Sequence, residues 1–114
     1  MTGLNKVMLI GRLGRDPELH YTPDGTPVTS FSLAVQPASG NGGDGDGAGV
    51  QWVNVVAWRR MAELCNRLLH KDERVYLEGS LHTRCWQDGQ GNQQFRTEVV
   101  ATDLIPLDDG LVGS

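Results

Sequence analysis

Only one stretch of this chain repeats its apolar residues at helical spacing, and it falls between runs that alternate with the two-residue period of strands. From Arg59 to His70, Met61, Leu64, Cys65 and Leu68 share one side while Arg60, Glu63, Asn66 and Arg67 share the other. That pattern predicts an amphipathic helix of about three turns. Before it, Val50 to Trp58 puts Val53, Val55 and Ala57 on one face of a strand and Trp52, Asn54, Val56 and Trp58 on the other. Val28 to Val35 alternates likewise, with Thr29, Phe31, Leu33 and Val35 directed to the core. Leu4 to Leu13 is an aliphatic first strand bent at Gly11, and Tyr21 to Thr26 is the turn that follows it. Beyond the helix, Glu73 to Trp86 and Gln94 to Ile105 form a long hairpin bent at Gly79, with its tip at Asp88 to Asn92.

Three strands, a helix and two strands, in that order, predict an all-β fold: the OB-fold, a five-stranded barrel with one helix between strands 3 and 4. Coiling five strands into a partly open barrel removes the exposed edges that a flat sheet of this length would present. With 114 residues there is material for one hydrophobic core, so residues 1–106 are expected to form one OB-fold domain, with 107–114 a short flexible C-terminal segment. Pro37 to Gly49, rich in glycine and without bulk, is read as a mobile loop.

Several function classes are disfavoured at this stage. No apolar stretch is long enough to span a membrane, and no charged segment followed by an apolar core opens the chain, so a cytoplasmic protein is expected. Cys65 and Cys85 lie far apart without a CxxC, and read as reduced packing residues in preference to a disulfide. His20, His70 and His82 fall on different elements without ligand spacing, so no metal is expected. The letters GNGGDG at 40–45 match a dinucleotide fingerprint, but a strand follows them where a helix is required. Asp44 to Gly47 lacks the remaining oxygen ligands of a calcium loop. With no nucleophile, acid pair or phosphate loop, the chain reads as a binding protein rather than an enzyme, with no cofactor.

Trp52 and Trp58 project from the face opposite the aliphatic set, so they form either a subunit contact or an exposed aromatic platform. Trp86 shares a strand face with His82 and Arg84; this is either a cation–π pair on a surface hairpin or a place for a base beside its phosphate. The net charge of −4 opposes nucleic-acid binding, but a groove feels only its own lining. Basic residues do fall near the aromatics: Arg59 adjoins Trp58, Arg84 precedes Trp86, Arg96 lies on the returning strand, and Lys6 and Arg12 on the first. Glu78 and Glu98 count against this segregation.

The stretches LNKVMLIGRLGRDPELHYTPDGTPV at 4–28, WVNVVAW at 52–58, AEL at 62–64, VYLEGSLHTRCW at 75–86 and TEVVA at 97–101 together resemble the bacterial single-stranded DNA-binding protein family. The resemblance implies an OB-fold, cooperative and sequence-independent binding of single-stranded DNA in replication, recombination and repair, and a homotetramer. It carries stacking roles to Trp52, Trp58 and Trp86, and electrostatic roles to Lys6, Arg84 and Arg96. Three features depart from it. No aromatic occurs in Pro37 to Gly49; Val53 stands where some members have an interface histidine; and the chain ends at Leu111-Val112-Gly113-Ser114 instead of an acidic, partner-recruiting tip. Replication and repair proteins remain candidate partners, but their recruitment through a tail is not assumed. A replication-restart accessory of the same fold is the nearest alternative.

Overall fold

The computed structural model describes residues 3–36 and 49–107. Its elements are β1 (Val7–Leu13), β2 (Glu18–Tyr21), β3 (Pro27–Val35), β4 (Gln51–Trp58), α1 (Arg59–Leu68), β5 (Arg74–Gln87) and β6 (Gln93–Pro106). Strand order is β1-β5-β6-β4-β3-β2, and a further β1–β3 pairing through Arg12–Ala34 and Leu13–Leu33 closes five of them into a ring. Every pairing is antiparallel except β4 with β6. This is the barrel that the alternation predicted. The Gly-rich segment from Pro37 falls almost wholly outside the described residues, as does all but the start of the C-terminal segment 107–114.

The sequence reading missed β2. Its four residues, Glu-Leu-His-Tyr, pair with β3 from Glu18–Ser30 to Tyr21–Pro27, outside the ring. A run this short carries too few apolar residues to announce a two-residue period.

The interior is filled by one face of each ring strand. Leu13, Phe31, Leu33, Val55, Ala57, Val75, Leu77, Val99 and Ala101 are buried together with Ala62, Cys65 and Leu69 of the helical segment. Thr29 is the polar member of this set; its hydroxyl donates to the Ala62 carbonyl at 2.8 Å and ties the helix to β3. The helix stops two residues earlier than its pattern indicated. Leu69 leaves it with extended backbone (φ −107, ψ 144) and enters the core, whereas Leu68, assigned to the apolar stripe by spacing, turns outward at 38% exposure. A change of backbone conformation at the C-cap resets the helical period, so spacing cannot be carried past it.

Two glycines permit the coiling. A Cβ on Gly11 would come within 2.8 Å of the Ala34 carbonyl oxygen, and one on Gly79 within 2.2 Å of that of Val100. Next to Gly79 the β5–β6 register shifts, with Glu78 opposite Asp103 and Gly79 opposite Ala101, so Thr102 is the extra residue of a bulge. Bulges sharpen local twist. Past this point β5 no longer pairs with β1 and is exposed throughout from Leu81 to Gln87, while β6 stays in the ring through Val100 and Val99, paired with β4; beyond them the two strands run on together as an arm.

Candidate nucleic-acid interface

Outward residues of β3 are small, and that smallness shapes the site. Val28, Ser30, Ser32 and Ala34 face Trp58, Val56, Asn54 and Trp52 of β4 in register, so the middle of this face is low and an indole stands at each end. The two tryptophans lie six residues apart on one strand, a separation of about 20 Å. Of the aromatic residues only Phe31 belongs to the core; Trp52, Trp58, Trp86, Tyr21 and Phe95 are all exposed.

A shallow groove runs from Trp58 onto the β5–β6 arm, lined by Tyr21, Val28, Ser30, Trp58, Arg84 and Arg96. On the arm, Arg84 and Arg96 are directly opposed across the two strands. Like charges so placed repel. The side chain of Glu98 offsets that repulsion: its Oε2 lies 3.1 Å from Arg84 Nη2 and 3.6 Å from Arg96 Nε. Glu98 is buried, while both arginines keep about half of their side chains in solvent. The guanidinium of Arg84 also lies 6.0 Å from the centre of the Trp86 ring, within cation–π range.

The turn that carries Trp58 is strained. Arg59 adopts a left-handed φ of +55, which is costly for a residue with a Cβ, and takes the chain from β4 into α1 without a side-chain cap. Arg59 and Trp58 border a second hollow with Thr22, Pro23, Asp24 and Thr26. Bonds donated by the Thr22 and Thr26 hydroxyls hold the Asp24 carboxyl below its ordinary pKa, so the turn facing Trp58 is fixed by a charged acceptor.

The single-strand binding protein family matches residues 4–107, nearly the whole of the described barrel. The chain belongs to that family. It is 42% identical over 106 residues to single-stranded DNA-binding protein 1 of Chlorobaculum tepidum, a match covering 92% of this chain and 65% of that protein. It is 44% identical over 105 residues to the single-stranded DNA-binding protein of Caldanaerobacter subterraneus subsp. tengcongensis, covering 89% and 66%. The chain thus spans slightly less than two thirds of the length of the curated relatives it matches.

Within this family member, the residues singled out by sequence fall into separate groups. Trp58, Arg84 and Arg96 share the groove, and Trp86 stands beside Arg84 on the same face of the arm. Trp52 lies at the far end of β4, in one cross-strand row with Ala34 and Arg12. The Arg12 guanidinium donates to the Asp72 carbonyl at 2.8 Å. Arg59 borders the second hollow, and Lys6 lies elsewhere, its ammonium 3.3 Å from Glu78. Glu78 is held below its ordinary pKa by the Tyr76 hydroxyl first and by Lys6 second.

Sequence reasoning missed three residues that line the groove: Tyr21, His20 and Glu98. The first two belong to the unrecognised β2, and an exposed aromatic next to a turn was their only signal. Glu98 counted as an objection because spacing shows that a charge lies on a face but not what it touches. Cys85 needs correction: it is exposed on the arm, and only Cys65 packs in the core. Burial pushes the Cys65 thiol up to about 12. Among the described residues no group of three or more histidine, cysteine or acidic side chains is placed to hold a metal, and no helix is long and apolar enough to cross a membrane.

Proposed function

We propose that this chain binds single-stranded DNA without sequence preference, its bases stacking on Trp52, Trp58 and Trp86. Arg84 and Arg96 meet the phosphates between them, with Arg12 and Arg59 serving the ends of the path. Lys6, engaged with Glu78, contributes least. The observation that carries this reading is the convergence of Trp58, Tyr21, Arg84 and Arg96 in one groove. A flat aromatic surface accepts any base, because every base has a π-face, and guanidinium groups track the backbone without reading sequence. The protein is then a binding protein with no cofactor. It holds strands unpaired in replication, recombination and repair, with about 4 to 16 nucleotides on each barrel.

Assembly into a homotetramer belongs to the same proposal. Ile10 and Ile105, more than half exposed, flank Tyr76 in one cross-strand row, and Met8 lies in the next. A continuous apolar row on an outer sheet face calls for a partner, and a second copy brings the same surface. Light scattering is expected to give the mass of four chains, and Ile10→Glu a smaller species.

Titrating intrinsic tryptophan fluorescence with oligo(dT) tests the binding reading. Strong quenching by the single strand, little by duplex and weakening with salt are expected. No quenching at micromolar protein would refute it.

A further inference from the structure

We propose that Glu98 is a positioning residue for the phosphate path, acting through Arg84 and Arg96 as a built-in counter-anion. The proposal rests on the DNA-binding reading above and deepens it. Arg84 and Arg96 are opposed across β5 and β6, an arrangement that drives two like charges apart unless a third group holds them. That group is the buried carboxylate of Glu98, one oxygen of which faces both guanidiniums. Its burial fixes its position from beneath, and the arginines, exposed at 61% and 47%, are fixed from above. Arg84 is also steadied by Trp86.

The consequence is electrostatic as well as geometric. Two guanidiniums and one carboxylate leave a unit of net charge +1, which one backbone phosphate neutralises. Without the carboxylate the same arginines would neutralise two. The salt dependence of single-strand binding counts such neutralised phosphates, at about 0.7 in the slope of log K against log salt for each. Glu98 therefore sets the number of ions exchanged at this point of the groove, which a merely structural residue would not do.

The test compares wild type, Glu98→Gln and Glu98→Asp for oligo(dT) affinity at pH 8 over a salt series, with folding checked by circular dichroism. Glu98→Gln is expected to steepen the slope by about 0.7, so a fourfold rise in salt costs it about 2.6-fold more affinity than wild type. Glu98→Asp keeps the charge and is expected to keep the wild-type slope. Equal slopes for wild type and Glu98→Gln overturn the proposal while leaving DNA binding intact. Absence of wild-type binding overturns the underlying reading and the proposal with it. Should Glu98→Gln fail to fold, nuclear magnetic resonance of the unaltered protein decides. The Arg84 Nη–H signal, whose proton is donated to Glu98 at 3.1 Å, is expected to be protected from solvent exchange in the free protein and to shift on saturation with oligo(dT). An unprotected signal, or one indifferent to DNA, overturns the proposal.

Discussion

Replacing Trp58 by alanine separates stacking from charge, because Trp58 shares its groove with two arginines but carries no charge itself. Loss of one stacked base costs about 1 to 3 kcal/mol, which raises Kd about 5- to 140-fold. The salt slope should stay at the wild-type value, since the number of neutralised phosphates is unchanged. Arg84→Gln should do the opposite. It takes the net charge of the Arg84–Glu98–Arg96 unit from +1 to 0 and makes the slope shallower by about 0.7. Trp52→Ala provides the internal comparison. Trp52 is more exposed, 62% against 41%, but it stands at the other end of β4, away from that unit. On the proposed path a base stacked on Trp58 would have its phosphate beside Arg84 and Arg96, so Trp58→Ala is expected to cost more than Trp52→Ala. The assay is fluorescence anisotropy of a dye-labelled oligo(dT), which does not depend on the tryptophan being removed, repeated from about 50 to 200 mM salt. A changed slope in Trp58→Ala, or a larger loss in Trp52→Ala, would contradict this assignment.

The remaining expectations concern the barrel and its thiols. Gly79→Ala forces a methyl against the Val100 carbonyl at the bulge and should destabilise by about 1 to 3 kcal/mol; an unchanged urea midpoint would contradict this. At pH 8, Cys85 should react with a thiol reagent and Cys65 only after unfolding, because burial holds the Cys65 thiol protonated. The native thiol keeps its proton to a higher pH than the unfolded one, so its contribution to stability is full below 9.0 and is lost as pH rises towards about 12; Cys65→Ala should remove that alkaline loss from denaturation curves. Asp88 at the arm's tip accepts from the backbone N–H groups of Asn92 and Gln90, which lowers its pKa from 3.8. Its contribution is therefore present above 3.8 and lost as pH falls through the lower folded value, so Asp88→Asn should blunt the acid loss of amide-exchange protection in the tip.

How much of this was legible beforehand depended on range. Alternation along VTSFSLAV and VQWVNVVAW placed the core side and the outward tryptophans correctly, because pleating is a local property that needs no knowledge of neighbours. Gly11 and Gly79 were identifiable as bends by being glycine within strands, although what they approach was not. The site was legible only in part. Trp58 and Arg84 are 26 positions apart in sequence, and their meeting in one groove depends on the long-range pairing of β6 with β4 on one side and β5 on the other. Tyr21 arrives through a strand too short to show a period. Side-chain pairing was the least legible level of all.

That last level decides how a chain of net charge −4 can serve a polyanion. Two acids on the strands, Glu78 and Glu98, oppose the clustering of basic residues by position, and the structure gives each a local partner. Glu78 is taken up by Lys6 and Tyr76, on the side of the barrel where Met8 and Ile10 are exposed. Glu98 lies beneath Arg84 and Arg96. Neither carboxylate therefore acts on the groove as a free negative charge, but each also reduces what the cations can offer. Lys6 is occupied, and two arginines amount to one net charge. On the proposed binding mode, electrostatics at this groove is accordingly modest, and most of the affinity would come from the exposed rings. A single-strand binder arranged in this way should show a shallower salt dependence than its number of arginines would indicate, and should lose more from one tryptophan than from one arginine.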